Sequence, residues 1–510
     1  MAPPGDISTP LQPADERLPV RAVFASISRN AIPAILTNLL GFVNETTNTL
    51  FIGHHGSIDE LAAVGIGNML QNCCGLSIGI GLTSAMDTLI SQAHGAGEEH
   101  LSCIYLQRAR VITSLQMIWI LPVLLLSDKW LIAIGQDPEV ARLAAEYNTA
   151  SAPFLLLFFH SSASRRFLSA FLRPQAAVVV GAICAVLHVL WCYIFVVCLG
   201  LGNRGLGFAN GLTWTLRALF MSAYLWWAAP GLGVSRWDVL GLTRDAFRGW
   251  SQYMKIALPA LLQTCSEWWF FEICALFVGY LGNEALAAHV TTQNFMSLLF
   301  MVPIGVSSAA AALTGNALGK GQPALARQTS WLCVAYVLLI WLFLSFFAVL
   351  WRDRIAAAYT RDAGVALIVS RLLVVNAVAG IFDGSQTVLG GVFRGLGRLR
   401  AASFIYLVCF YMLMLPAALL LAFPLKCGVY GIYYALVVGT GAALAAFALL
   451  LSRTRWASLA DEARARVTSD KADASKARQQ AELPAAGSDL LSSDISLQVN
   501  SGLHRQTSPF

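Results

Sequence analysis

Twelve apolar runs, each long enough to cross a bilayer, constrain this chain more than any other feature in it. A spanning helix needs about 20 mostly apolar residues. The runs lie near 30–53, 60–92, 105–127, 144–164, 176–199, 204–229, 252–282, 285–316, 328–350, 365–393, 401–423 and 427–451. Backbone polar groups in hydrocarbon are satisfied only within helices or closed barrels, and these runs are too long and too continuously apolar to be barrel strands. The expected fold is therefore an all-α membrane protein. Composition agrees: 12% of the 510 residues are charged, against about 25% in soluble chains. The net charge of +6 is spread over loops and tail and leaves no footprint for nucleic acid. The eleven cysteines fall mostly inside apolar runs, without disulfide or zinc-ligand spacing, and read as small buried side chains. Residues 1–29 are polar and Pro-rich and carry no cleavable signal, so the first apolar run directs insertion.

The two halves of the chain resemble each other. AIPAILTNL at 31–39 matches ALPALLQTC at 257–265, and FIGHHG at 51–56 matches FVGYLG at 277–282, both at an offset of 226. SQAHGAG at 91–97 is echoed by GNALGKG at 315–321. Six spans per repeat, an even number, makes the repeats parallel, related by an axis along the membrane normal, and a substrate path is expected between them. The domains then run as an N-terminal tail (1–29), a first lobe (30–229), a connecting loop (230–250), a second lobe (251–452) and a largely disordered C-terminal tail (453–510) in which Trp456–Ala477 can form an amphipathic surface helix. Basic residues are twice as frequent in the loops on the terminus-bearing side, with Arg108, Arg110, Arg165, Arg166 and Arg394 counted among them, which places both termini in the cytoplasm.

Ionisable residues at membrane depth mark functional sites by default. The seventh run carries Glu267 near its middle and Glu272 five residues on, about 140° around the helix, so the two acids do not serve one compact site. Gln263 shares the face of Glu267, and Trp268 and Trp269 lie too deep for an interfacial belt, so a Trp face there can cradle an organic cation or simply pack the core. Asp383 lies well inside the tenth run, in the same lobe as Glu267. Two buried acids sharing a site cannot both ionise cheaply, so a site that is either empty and protonated or occupied and deprotonated couples proton to cation by competition. In the first run Asn38, Gly41, Glu45 and Asn48 form one polar stripe, readable either as helix–helix glue or as a lining for ion or substrate. Arg217 needs a partner, for which Glu45 is a candidate; Asp87 reads as a lobe anchor and His188 as a satisfied interior histidine. No residues are spaced to ligate a metal.

With these motifs in place the chain resembles the multidrug and toxic compound extrusion family, of eukaryotic type, over about residues 28–452. The resemblance rests on SAMDTLISQAHGAG at 84–97, RRFLSAFLRPQ at 165–175, CSEWWFFE at 265–272, MVPIGVSSAAAALTGNALGKG at 301–321 and FDGSQTVLGGVFRGLG at 382–397. It implies twelve helices in a V-shaped pair of six-helix lobes, and cation efflux driven by protons or, in some relatives, sodium. It implies proton coupling at Glu267 and Asp383, with Glu272 matching a further acid of eukaryotic members; Gln263, Trp268, Asn294, Glu45 and Asn48 are expected along the substrate path. Two positions depart from the family: Asn48 stands where prokaryotic relatives have an aspartate, with Glu45 one turn earlier as a substitute, and Asn294 where animal relatives have a glutamate. Plant members include exporters of flavonoids and citrate, so an anion exporter of the same fold is the alternative. The expectation is a monomeric antiporter, not an enzyme, with no cofactor beyond an ion gradient, in the plasma membrane or an organelle membrane, its partners a small organic substrate and the lipid bilayer. A lipid-linked oligosaccharide flippase would want a strongly basic cavity between the lobes, for which only Arg217 and Arg371 stand within spans.

Overall fold

The computed structural model describes residues 17–360 and 362–482. Expectations for 1–16, Arg361 and the tail 483–510 lie outside the described residues. The twelve spans are α1 (Val20–His55), α2 (Ile58–Gly95), α3 (Glu99–Leu125), α4 (138–170), α5 (Gln175–Cys198), α6 (Gly202–Ala228), α7 (Trp250–Gly279), α8 (Asn283–Gly319), α9 (Pro323–Leu350), α10 (Ala363–Leu396), α11 (Leu399–Ala422) and α12 (Val429–Ser452). Among the described residues nine of these are long and apolar enough to cross a bilayer on length and composition alone. The other three, α4, α6 and α7, carry the polar residues that lining or lobe-building requires. The protein is an all-α membrane protein of twelve spans in two six-helix lobes.

The spans overrun the bilayer. The 37 residues of α8 reach about 55 Å at 1.5 Å per residue, against about 30 Å of hydrocarbon. This corrects the loop-charge reading: Arg108 and Arg110 lie within α3, Arg165 and Arg166 within α4, and Arg394 within α10. Likewise α1 begins at Val20, inside the expected tail. The connecting segment 230–250 is docked on α3, where Gln107 Nε2 donates to the Asp238 carbonyl at 2.7 Å, Gln107 Oε1 accepts from Thr243, and Arg110 donates to the Val239 carbonyl. The turns that end α2 and α8 use Gly97 and Gly321 at φ 78° and 69°, a backbone conformation that costs only glycine nothing, which explains the matched GAG and GKG of the two repeats.

The lobes converge at the end that bears the termini. There α2 is buried at every residue from Ala85 to Ala93, α10 at every residue from Asp383 to Phe393, and α8 at nearly every residue from Gly305 to Gly319. Toward their other ends the same helices are buried on one side only; before Pro303, α8 buries only Ala288, His289 and Thr292. The seam is closed by backbone meeting backbone. A Cβ on Gly95 would stand 2.3 Å from the Asn316 carbonyl oxygen, and one on Gly319 2.2 Å from that of Gln92.

After the last span a further long helix, α13 (Trp456–Glu482), lies across this seam. Leu459, Ala460, Ala463 and Val467 are buried at helical spacing, so the stretch expected as an amphipathic surface helix packs its apolar face against the protein. To the first lobe it offers Arg466, which donates to Gln92 Oε1 at 2.7 Å, Lys471, paired with Glu98 at 2.6 Å, and Asp470, which accepts from the Tyr105 hydroxyl. To the second it offers Glu462, paired with Arg398 at 2.9 Å, and Arg464, which donates to the Lys320 carbonyl at 2.9 Å. Thr88, fully buried under it, donates to the Arg394 carbonyl. Exposed ion pairs contribute about 0.2–1 kcal/mol each, so deleting residues from Trp456 onward is expected to raise maleimide labelling of a Thr88→Cys variant from that side by about fivefold, the shift that about 1 kcal/mol gives. Unchanged labelling would show that the strap does not hold the lobes.

Candidate functional site

The second lobe gathers its acids where α7, α10 and α11 meet. Glu267 of α7 is half-buried and within electrostatic reach of Asp383 on α10 and of Arg394 three turns further along that helix. Asp383 is buried and accepts from Gln386 Nε2 at 2.9 Å. Gln263, one turn before Glu267, is buried and stands beside the Tyr406 hydroxyl of α11. Gly390 makes the approach possible, since a Cβ there would stand 2.7 Å from Gln263 Nε2 and 3.2 Å from the Tyr406 hydroxyl. Two amide oxygens, Gln263 Oε1 and Gln386 Oε1, are buried without a hydrogen-bond donor. The result is two carboxylates and two unsatisfied acceptor oxygens in one buried place. Acceptors held so cost free energy until a proton or cation meets them.

This asymmetry is built into the repeat. At the offset of 226 the counterparts of Glu267 and Asp383 are Gly41 and Leu157, so the first lobe has no equivalent acid pair. Tyr406 and Gln386, absent from the sequence reading, complete the site; a tyrosine and a glutamine in apolar runs carry no signal of their own, and only the packing of α11 on α7 brings Tyr406 in.

Glu272 stands apart, as its turn around the helix requires. It is within electrostatic reach of Cys73 on α2, where α7 packs on the other lobe. There α2 passes through a π-helical stretch, Asn72–Leu76. The Cys73 carbonyl accepts from Trp269 Nε1 at 3.2 Å, and Ser77 Oγ lies 3.3 Å from the same nitrogen. The residue that reaches across is therefore Trp269, whereas Trp268 is half-buried on the adjacent face. Asn294 lies exposed on α8.

In the first lobe the polar stripe of α1 divides. Glu45 is exposed, whereas Asn48 is 2% exposed and tied on both sides of its amide. Asn48 Nδ2 donates to Asn210 Oδ1 at 3.0 Å, and its Oδ1 lies 3.0 Å from His188 Nε2. The chain continues from Asn210 Nδ2 to the Tyr147 hydroxyl at 2.8 Å, from Tyr147 to Asn68 Oδ1 at 2.6 Å, and from His188 Nδ1 to Thr213 Oγ1 at 2.8 Å. Five helices are joined by this neutral network, so Asn48 acts within its lobe instead of lining a path. Asn48→Ala leaves partners on both sides unsatisfied, at about 1–3 kcal/mol; it is expected to lower the thermal stability of the detergent-solubilised protein, and an unchanged melting temperature would show that this network does not hold the lobe. Arg217 does not meet Glu45. It stands beside the Cys184 thiol.

Asp87 holds the seam. Its Oδ2 accepts from Arg166 of its own lobe at 2.6 Å and stands 3.3 Å from Arg394 Nε of the other. Arg394 also donates to Ser307 Oγ at 2.8 Å.

Comparison with known proteins gives the family and the fold. The MatE family model matches twice, over residues 33–194 and 259–420, and the two matches start 226 residues apart, the offset of the internal repeat. The chain is 30% identical over 453 residues to Multidrug and toxin extrusion protein 2 of Mus musculus, covering 88% of this chain and 77% of that one. It is 29% identical over 410 residues to Multidrug and toxin extrusion protein 1 of Homo sapiens, covering 80% and 71%. Among solved structures it resembles the eukaryotic MATE transporter AtDTX14, with a TM-score of 0.83, 24% identity, and 88% of this chain and 99% of that one covered.

Proposed function

Because this chain belongs to the MatE family, we propose that it is a secondary active antiporter that exports organic cations, xenobiotics or secondary metabolites in exchange for protons. The relatives above are named for multidrug and toxin extrusion. The observation that carries the reading is the pairing of Glu267 with Asp383 beside the unsatisfied oxygens of Gln263 and Gln386. In the empty state a proton held on the pair relieves the repulsion between the carboxylates. A cationic substrate neutralises the same pair and displaces that proton. The proton and the cargo thus occupy one site by turns, and alternation of the lobes carries each across.

Tyr406 and Gln263 orient the acids in this scheme, and Glu272 and Trp269 stand where α7 faces α2, on the route cargo would take between the lobes. If the basic ends of the spans are cytoplasmic, both termini lie inside and this conformer opens outward, sealed at the cytosol. Its membrane is the plasma membrane or an organelle membrane. A second reading, sodium coupling, is favoured by the same oxygens, since carboxylate and amide oxygens suit a hard cation.

Inverted vesicles containing the protein test the reading. Uptake of a fluorescent organic cation is expected to follow an imposed pH gradient, acid inside, with no sodium present. Uptake that follows a sodium gradient and ignores pH would overturn proton coupling.

A further inference from the structure

A crevice of about 70 Å³ opens between the lobes at their sealed end, and its charges do not balance. It is lined from the first lobe by Asn38, Asp87, Arg165 and Arg166, and from the second by Ser308 and Arg394. Asp87 is the one carboxylate among the lining residues, and it is already shared between Arg166 and Arg394. Arg165 makes a single side-chain hydrogen bond, 3.3 Å to Asn38 Oδ1; Asp87 is within electrostatic reach but committed to ion pairs with Arg166 and Arg394, and Arg166 and Arg217 add like charge. Donors are in surplus as well: Arg166 Nε and Asn38 Nδ2, on two of the lining residues, are buried without an acceptor. Buried charge and buried donors of one sign are retained only where something of the other sign meets them.

We propose that this crevice is a binding site for a small oxyanion, a carboxylate or phosphate group, held by Arg165, Arg166 and Arg394. The planar guanidinium fork matches two oxygens of such a group at once, and the hydroxyl of Ser308 adds a neutral donor. The volume admits one such group and a few waters, not a whole drug. Since both lobes contribute, the bound anion favours the sealed state and leaves when the lobes part. The inference is independent of the acid pair. The group comes either as a free anion from solution or as the acidic end of an exported molecule.

The test uses the full-length protein in detergent, with phosphate and citrate as probes and chloride at equal ionic strength as the baseline. Phosphate and citrate are expected to raise the melting temperature above the chloride baseline. Arg165→Gln is expected to remove that increment, Arg165→Lys, which keeps the charge without the fork, to weaken apparent affinity at least tenfold, and Glu267→Gln to leave it whole. An increment absent from the unaltered protein, or surviving in both Arg165 variants, overturns the proposal. Uptake of radiolabelled citrate into vesicles separates the two sources: uptake that Arg165→Gln abolishes makes the anion part of the cargo, and a retained melting increment with no citrate uptake makes it a bridging ion from solution.

Discussion

Neutralising both acids, Glu267→Gln with Asp383→Asn, is expected to reduce pH-driven cation efflux to the leak of empty vesicles. Each single variant is expected to lower flux roughly 10- to 100-fold, because a hydrogen bond to a charged group contributes about 1.5–3 kcal/mol. Both changes keep the shape of the side chain, and Gln386 retains an oxygen on Asp383→Asn to which its amide can donate. Melting temperature is therefore expected to hold or rise, because removing a buried charge also removes its desolvation cost. Loss of flux with retained stability separates a coupling role from a structural one. Flux that survives both substitutions would remove the acids from the mechanism.

The second large effect belongs to the seam. Gly95 and Gly319 bring α2 and α8 together so closely that any side chain would meet a backbone carbonyl, at 2.3 and 2.2 Å from its first carbon. Backbone cannot give way as a flexible side chain can, so Gly319→Val cannot be accommodated in the sealed state. Overpacking of this kind costs about 1–3 kcal/mol, a shift of roughly 5- to 150-fold between two states. The variant is expected to label freely at a cysteine placed at Thr88 and to transport at a small fraction of the normal rate, since one half of the cycle is disfavoured. Gly95→Val is expected to do the same from the opposite side of the seam. Normal labelling and transport in both would mean that this closure is not part of the cycle.

The architecture was legible because hydropathy is a property of single runs. Twelve apolar stretches and a repeat at a constant offset need no tertiary information, and depth alone marked Glu267 and Asp383. What escaped was whatever depends on helices overrunning the bilayer or meeting a neighbour. Arg165, Arg166 and Arg394 read as loop cations because the apolar runs end near them, although their helices continue and carry them into the seam. Tyr406 and Gln386 look ordinary until α11 and α10 are packed on α7. Trp268 and Trp269 are adjacent and chemically alike, so only the rotation of α7 decides that Trp269 reaches Cys73. Asn48 belonged to a stripe with two readings, and partners on α5 and α6, more than a hundred residues away, decide for the structural one. The tail helix hides its apolar stripe among charges, with alanines at two of its four buried positions, too small a signal to reveal a docking face.

Proton release on binding tests the central claim most directly. When an organic cation is added to the detergent-solubilised protein in weakly buffered solution without any gradient, the account predicts protons released into the medium in proportion to cation bound, and none from the Glu267→Gln, Asp383→Asn double variant. Cation binding without proton release, or release that persists in the double variant, would contradict it.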